Sequence, residues 1–427
     1  MKSRALLDRW RETVRNFSNH VALSELATGR RWSFSELAQA AEEHSSRPGV
    51  IAYPQGHSAE FILEILRAWH SGQTVCPLEA GQPRPAMASP LPRDIVHLKT
   101  TSATTGAPRL VAFTAEQLAA DARNIVATMG LRPDWPNLGI VSLAHSYGFS
   151  NLVLPLLLHG IPLVIVPGTL PETLRRASET MRAATLPAVP ALWRAWQEAR
   201  AIPRNIKLAI SAGAPLPLSL EEQVFSNYGL KLHNFYGSSE CGGIAYDATG
   251  EPRTDASCIG ASMENVELSL AEDGCLEVSG DAVAAGYWPQ PNMTLSDGVF
   301  HTSDLAEIQD GLVYFRGRAC DRINVAGRKV APEAIERVLA AHPQVKECLA
   351  FGVPSADAGR GETIVACVAS REAVTLEALK QFTLERLPAW QVPREWWLVD
   401  SLEANQRGKL SRSETRKAYL ETRAGKV

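Results

Sequence analysis

Residues 100–109 read Thr100-Thr101-Ser102-Ala103-Thr104-Thr105-Gly106-Ala107-Pro108-Arg109. The clustered hydroxyls, the glycine and the closing guanidinium supply donors and backbone amides for phosphate oxygens, while small side chains let the main chain come close. The pattern GxxxxGK[ST] is absent and the loop joins two expected strands instead of opening a helix, so it is not a Walker loop. Composition alone leaves two readings open, a phosphate cradle or an ordinary polar turn.

The elements that must hold this loop are legible on both sides. Residues 95–99 and 110–113 read as strands, and a helix follows in which Thr114 and Gln117 form a capping box. Its apolar positions Leu118, Ala122, Ile125, Val126 and Met129 share one face before Gly130 ends it. Apolar runs at 50–52, 163–166 and 207–210 alternate with helical patterns, which predicts an α/β architecture. The N-terminus reads as a charged amphipathic helix to about Phe17, not as a signal peptide. Pro155, His159, Gly160 and Pro162 interrupt the most apolar stretch, 152–166, which suits a buried helix, a turn and a strand better than a membrane span.

A composition change follows Val313-Tyr314-Phe315, where the charged segment 316–322 begins. We expect a large N-terminal domain of several subdomains with mixed sheets and helices over 1–317, and a small α+β lid over 318–427. In the lid, Pro332 opens a helix presenting Ile335, Val338 and Leu339; two short strands, a helix at 375–387 and a strand at 395–399 follow. A length of 427 residues exceeds what one hydrophobic core usually organises. The net charge of −3 gives no electrostatic reason to expect nucleic acid or anionic membrane as a partner. Seven scattered cysteines without a CxxC pair indicate neither a zinc site nor a disulfide framework, and fit a reducing cytoplasm.

The loop at 100–109 resembles the TSGTTGxPKG signature of the adenylate-forming superfamily, and further motifs follow in that family's order. Residues 143–148 (Leu-Ala-His-Ser-Tyr-Gly) resemble its acid-pocket motif, 211–216 its adenine loop, and 234–240 (Asn-Phe-Tyr-Gly-Ser-Ser-Glu) its YGxTE motif. Residues 280–288 resemble the GxxxxxGYW segment, 301–305 the TGDL motif, 317–336 the GRxxDxIKxxGxxVxPxEIE run, and 407–410 the terminal GK motif. The resemblance spans nearly the whole chain and points to an AMP-dependent acyl-CoA synthetase or ligase.

That resemblance implies a set of roles. Ser102, Thr104, Thr105, Gly106 and Arg109 would hold the β- and γ-phosphates of ATP, Ser239 the α-phosphate, and Glu240 a Mg²⁺ ion. Tyr236 offers its ring to adenine, with Gly213, Ala214, Asn234 and Gly237 around the base; Asp304 takes the ribose hydroxyls and Arg318 donates to ribose or phosphate. Lys409 would contact both reacting anions, His145 would gate the passage between acid and thiol, and Gly327 would let the pantetheine of coenzyme A pass. Each has a plainer alternative: a surface carboxylate for Glu240, a core tyrosine, a structural histidine, loop charges and a tail lysine.

Ser146 stands where amino-acid-activating relatives carry Asp, which favours an acid without an α-amino group. Gly242 and Gly243 leave space beside the expected acyl pocket, with Trp193 and Trp196 near its wall, and an aryl or fatty acid would fit. Departures from the family pattern include Arg109 for the usual lysine, Ala103 and Leu110 for glycines, Ala334 for a glutamate, Cys320 at the hinge position and a short spacing before the phosphate loop. The expected acceptor is coenzyme A. A carrier protein's phosphopantetheine is the alternative, and a nonreactive acyl- or nucleotide-binding module a third reading, which the retained Glu240, Asp304, Arg318 and Lys409 argue against.

Overall fold

Strands that are apolar along their whole length need cover on both faces, and that requirement organises the large N-terminal part. The structure is a computed structural model and describes residues 2–43, 50–86, 90–101, 109–179, 181–355, 361–371, 374–402 and 410–424. Six strands run parallel at the centre of a 14-stranded sheet: Leu232–Ser238, Ile206–Ala212, Ala184–Ala188, Asn137–Gly139, Leu163–Ile165 and Val21–Glu25. Beyond Leu232–Ser238 the pairing turns antiparallel, through Gly242–Tyr246, Cys258–Ser262, Leu312–Arg318 and Val299–Gln309 to the hairpin Glu267–Leu270 and Cys275–Ser279.

A second, five-stranded sheet contains the hairpin His97–Thr100 and Leu110–Phe113, edged by Gly286–Trp288. The main core joins the two sheets through helices: Trp10 of Arg4–Phe17, Trp69 of Ala59–His70 and Ile125 of Ala115–Met129 are buried in it together with Phe113 and Ile210. The helix Ala115–Met129 begins with the expected capping box at Thr114 and Gln117, and Gly130 closes it in the left-handed region. The stretch 152–166 folds as helical turns to His159, a reversal at Gly160 and the strand Leu163–Ile165. Among the described residues no helix is long and apolar enough to cross a membrane.

The C-terminal part is a three-stranded sheet, Val345–Pro354, Glu362–Ser370 and Glu395–Val399, with the helices Pro332–Ala340, Leu376–Leu384 and Arg412–Ala424. Its first two strands are 10 and 9 residues long, not short as expected. The small residues Ala350, Gly352, Ala366 and Ala369 hide their length from a hydropathy reading, yet Glu362–Ser370 is buried on both faces. Ile335, Leu339 and Leu379 cover one face, and Leu402 and Tyr419 pack on the other.

Between the two parts lies one turn of 3₁₀ helix, Ala319–Asp321, so the proposed division at 317/318 falls at the end of the strand Leu312–Arg318. Among the described residues few polar contacts join the parts on either side of that turn: Arg194 donates to the Lys346 carbonyl at 3.3 Å, Arg337 to the Phe315 carbonyl at 3.4 Å, and Arg371 lies 3.9 Å from Glu198. Within the C-terminal part, Arg412 ties the last helix to the turn by pairing with Asp321, with Glu333 at 3.0 Å and with Glu336 at 2.9 Å. Removing one partner from such a partly buried cluster leaves like charges facing each other. Arg412→Ala should therefore speed amide exchange across 412–424 by at least tenfold while leaving 115–129 unchanged; equal protection in parent and variant would refute this tie.

Candidate functional site

In an open α/β sheet, ligands bind beyond the carboxyl ends of the parallel strands, where loops diverge and backbone amides are free. The strand Ile206–Ala212 ends there in Gly213, exposed, and Ala214, half-buried. Its neighbour Leu232–Ser238 buries Asn234, exposes Gly237 and leads into the half-buried Ser239 and Glu240. Gly237 is required by packing, because a Cβ there would lie 2.6 Å from the Gly242 carbonyl.

Three expected residues meet at one carboxylate. Asp304 and Arg318 are register partners on adjacent antiparallel strands, and Arg318 Nε donates to Asp304 Oδ1 at 2.9 Å. The Tyr236 hydroxyl donates to Asp304 Oδ2. Burial and the Asp304 charge push the Tyr236 phenol well above its ordinary range, so it stays a donor. Burial works against the Arg318 charge, but the Asp304 pair outweighs it and raises the guanidinium. An ionised carboxylate has about four acceptor positions, so two remain beyond those filled by Tyr236 and Arg318.

Glu240 is tied in from another element. Its amide donates to Ser238 Oγ at 3.1 Å, and its Oε1 accepts from the Tyr287 hydroxyl at 3.0 Å. Burial and then Glu240 raise the Tyr287 phenol. The Arg109 guanidinium lies 5.5 Å from the Tyr287 ring centre, so Tyr287 links the base of the phosphate loop to Glu240. Among the described residues Glu240 Oε2 accepts no hydrogen bond, which fits a Mg²⁺ ion that takes one carboxylate and fills its other positions with phosphate oxygens and water. The loop itself is a hairpin connection, closed where Thr101 N donates to the Arg109 carbonyl at 2.9 Å and Arg109 N to Thr101 Oγ1 at 3.2 Å. Ser102, Thr104, Thr105, Gly106 and, at the other end of the chain, Lys409 lie outside the described residues.

Two expected residues have local structural reasons as well. His145 caps a short helical turn, its Nδ1 accepting from Tyr147 N at 3.2 Å. Gly327 occupies the tip of the hairpin Ile323–Val325 and Arg328–Val330, where Ala326 and Gly327 both have positive φ, and nothing lies within 4 Å of a Cβ built on it.

The expected space at Gly242 and Gly243 is filled. A Cβ on Gly242 would collide with the Asp121 carboxylate, and one on Gly243 with Met263 Sδ. Asp121 is 1% exposed and belongs to a buried network: Ser150 Oγ donates to its Oδ2 at 2.5 Å, Lys99 Nζ lies 3.7 Å from the same oxygen and donates to Ser150 at 3.1 Å, and Gly243 N reaches Oδ1 at 3.4 Å. Trp193 and Trp196 are wholly buried in a second core, with their Nε1 atoms donating to the Ile210 and Thr169 carbonyls, so they line no opening. Sequence reasoning missed Asp121, Lys99 and Tyr287. The signal was an acid three residues after Leu118, on the helix's apolar face, and a lysine inside an otherwise apolar strand.

The AMP-binding enzyme family model matches residues 63–288, and that of the AMP-binding enzyme C-terminal domain residues 334–409. A feruloyl-CoA synthase from Amycolatopsis sp. is 28% identical over 349 residues, covering 76% of this chain and 70% of its own length. A probable 2-succinylbenzoate–CoA ligase from Mycobacterium tuberculosis is 28% identical over 385 residues, 86% of this chain and 90% of its own. Among solved structures, ATP-bound MatB from Rhodopseudomonas palustris superposes with a TM-score of 0.84 at 21% identity, covering 95% of this chain and 98% of that one. The o-succinylbenzoate CoA synthetase MenE from Bacillus subtilis, bound to its acyl-adenylate, has a TM-score of 0.83 at 20% identity, covering 96% and 97%. Both share the fold described above.

The buried network generates a stability prediction. Deleting one member of a buried ion pair costs about 3–5 kcal/mol, whereas neutralising both costs little. Lys99→Met should lower stability by about that amount in urea denaturation, and Lys99→Met combined with Asp121→Asn should recover most of it. Simple additivity of the two losses would show that the charges do not interact.

Proposed function

The chain belongs to the AMP-binding enzyme family, and on that premise we propose that it joins a carboxylic acid to coenzyme A at the carboxyl ends of its parallel strands. As an AMP-forming acid–thiol ligase, it lets the acid's carboxylate attack the α-phosphorus of ATP, so that pyrophosphate leaves and an acyl-adenylate forms. The thiol of coenzyme A then attacks the acyl carbon and AMP leaves. The observation that carries this reading is the meeting of Tyr236, Asp304 and Arg318, an aromatic ring beside a buried carboxylate and a guanidinium, as a nucleoside site requires.

In this proposal Tyr236 presents its ring to adenine between Gly213, Ala214 and Asn234, and Asp304 accepts from ribose. Ser239 and Arg318 donate toward phosphate, and the loop at 102–109 holds the departing pyrophosphate. Mg²⁺, held by Glu240, supplies charge neutralisation to the phosphates. Lys409 reaches both anions from the C-terminal part, which acts as a lid, and His145 and Gly327 border the thiol's path. The acid lacks an α-amino group, as Ser146 suggests, and is aryl or fatty; the names of the feruloyl and succinylbenzoate relatives lend weight to the aryl arm. A cytoplasmic location belongs to the same proposal.

ATP–pyrophosphate exchange with a panel of aryl, short-chain and long-chain acids, followed by mass spectrometry with free coenzyme A, tests the whole reading. Exchange with no acid sinks it, and a thioester formed only on a carrier protein changes the acceptor. Two variants test the roles. An ammonium contacting both anions is worth about 4 kcal/mol at 4 Å in an effective dielectric near 20. Lys409→Ala should therefore cut adenylate formation at least about a hundredfold while sparing thioester formation from supplied acyl-adenylate. Glu240→Gln should raise the Mg²⁺ concentration needed for half-maximal exchange, and an unchanged magnesium titration would remove Glu240 from the metal site.

A further inference from the structure

Further along the strand that bears Asp304, the sheet's antiparallel end gathers three donors of different chemistry. Asp273 sits in the tight turn of the hairpin Glu267–Leu270 and Cys275–Ser279, where Ala271 N donates to the Cys275 carbonyl at 2.9 Å and Gly274 N to the Ala271 carbonyl at 2.9 Å. Its Oδ1 accepts from Cys275 N at 2.9 Å, which aims Oδ2 at His301 Nε2, 3.3 Å away on the neighbouring strand Val299–Gln309. Cys275 is 1% exposed beneath the two, and one ligand atom from each of Asp273, Cys275 and His301 lies within 4.8 Å of the others.

The second ring nitrogen is also committed. His301 Nδ1 lies 3.3 Å from Oε1 of Glu277, its direct register partner across the ladder. Carboxylates thus stand 3.3 Å from both ring nitrogens, and the one behind Nδ1 is placed as such groups are at metal centres, where they orient a histidine whose Nε2 is given to the ion. The donor set is thus one carboxylate oxygen, one thiol sulfur and one imidazole nitrogen, with an oriented second carboxylate behind the imidazole. Hard cations such as Mg²⁺ and Ca²⁺ prefer all-oxygen shells; sulfur with nitrogen and oxygen selects a borderline ion, Zn²⁺ or Co²⁺.

We propose that Asp273, Cys275 and His301 bind one zinc-class divalent cation, with Glu277 positioning the imidazole and a water completing the tetrahedron. Donors around such an ion stand about 3.5 Å apart; Asp273 Oδ2 and His301 Nε2 already do, at 3.3 Å, so closure needs at most about 1 Å of movement within the set. The scattered cysteine spacing gave no sign of this site, because its ligands come from a turn and from a strand that pairs with it 26 residues further on, at His301 after Cys275.

Co²⁺ alone, added to the full-length protein without nucleotide, is the probe, with Zn²⁺ as competitor. One equivalent should bind and give a near-ultraviolet sulfur-to-cobalt band, which Zn²⁺ displaces. Cys275→Ser should abolish the band, His301→Asn and the surface change Asp273→Asn should each weaken binding at least tenfold, and Glu277→Gln should weaken it about tenfold. The surface change keeps the test decisive if Cys275→Ser folds poorly. Absence of the band at saturating Co²⁺, or a band that survives Cys275→Ser because Cys320 or another thiol produces it, overturns the proposal.

Discussion

A carboxylate that is 8% exposed has lost most of its water and needs hydrogen-bonding partners in return, and at the candidate site of the large sheet that carboxylate is Asp304. The repayment comes from Arg318 on the next strand and from the Tyr236 hydroxyl, which lies on the far side of the strands Cys258–Ser262 and Gly242–Tyr246. Satisfying one group thus fixes several elements at once. The register that sets Asp304 opposite Arg318 places the end of the last large-sheet strand, and with it the turn Ala319–Asp321 from which the C-terminal part departs. The close approach of Gly237 to the Gly242 carbonyl lets the strand bearing Tyr236 turn back toward the site.

The same accounting explains the pocket side. Asp121 lies on a helix face otherwise made of Leu118, Ala122 and Ile125, where an unpaired carboxylate would be prohibitive. Lys99 and Ser150 pair it, and the amide of Gly243 adds a fourth member. Gly242 then has no choice of side chain, since its Cβ position is taken by that carboxylate and its φ is +69°. Gly242 is there to admit a polar network from the protein itself, and Gly243 to admit Met263. Two strands and two helical segments, those bearing Lys99, Gly243, Asp121 and Ser150, are locked together by it, so the floor beside the site is rigid and charged instead of open.

How far the sequence could be read divides along local and nonlocal lines. The helix after the phosphate loop was legible to the residue, because Thr114, Gln117 and Gly130 act within a few positions of themselves. Motif order brought Tyr236, Asp304 and Arg318 onto one list, and a side-chain hydrogen bond across 68 residues, reaching over the strands between them, is what joins Tyr236 to Asp304. The Lys99–Asp121 pair and the Tyr287–Glu240 bond were not legible, since each partner alone reads as a misplaced charge or a packing aromatic. Gly242 and Gly243 show the same limit from the other side: a glycine in a sequence marks room near its Cα without saying what takes it. The C-terminal strands were underestimated because alanine and glycine carry little hydropathy, although two helices on one face and a third on the other make the central strand interior.

The sparse junction between the two parts bears on the chemistry. In the first step two anions must be pressed together, which favours a cation brought to them and a site closed to water; in the second, a thiol must reach the acyl carbon from outside. One fixed arrangement of the C-terminal part serves one of these needs and obstructs the other. Among the described residues, the hydrogen bonds and ion pairs that join it to the large part across that turn are two arginine-to-carbonyl bonds of 3.3 and 3.4 Å and an exposed pair at 3.9 Å, each worth little against solvent. Its internal ties are stronger: Arg412 gathers Asp321, Glu333 and Glu336, and the buried strand Glu362–Ser370 runs through its centre. The unit is thus bound more firmly to itself than to its neighbour. Because Arg412 anchors to Asp321 in the linking turn, that residue goes with the C-terminal part, and Ala319 and the exposed Cys320 stand between it and the large sheet.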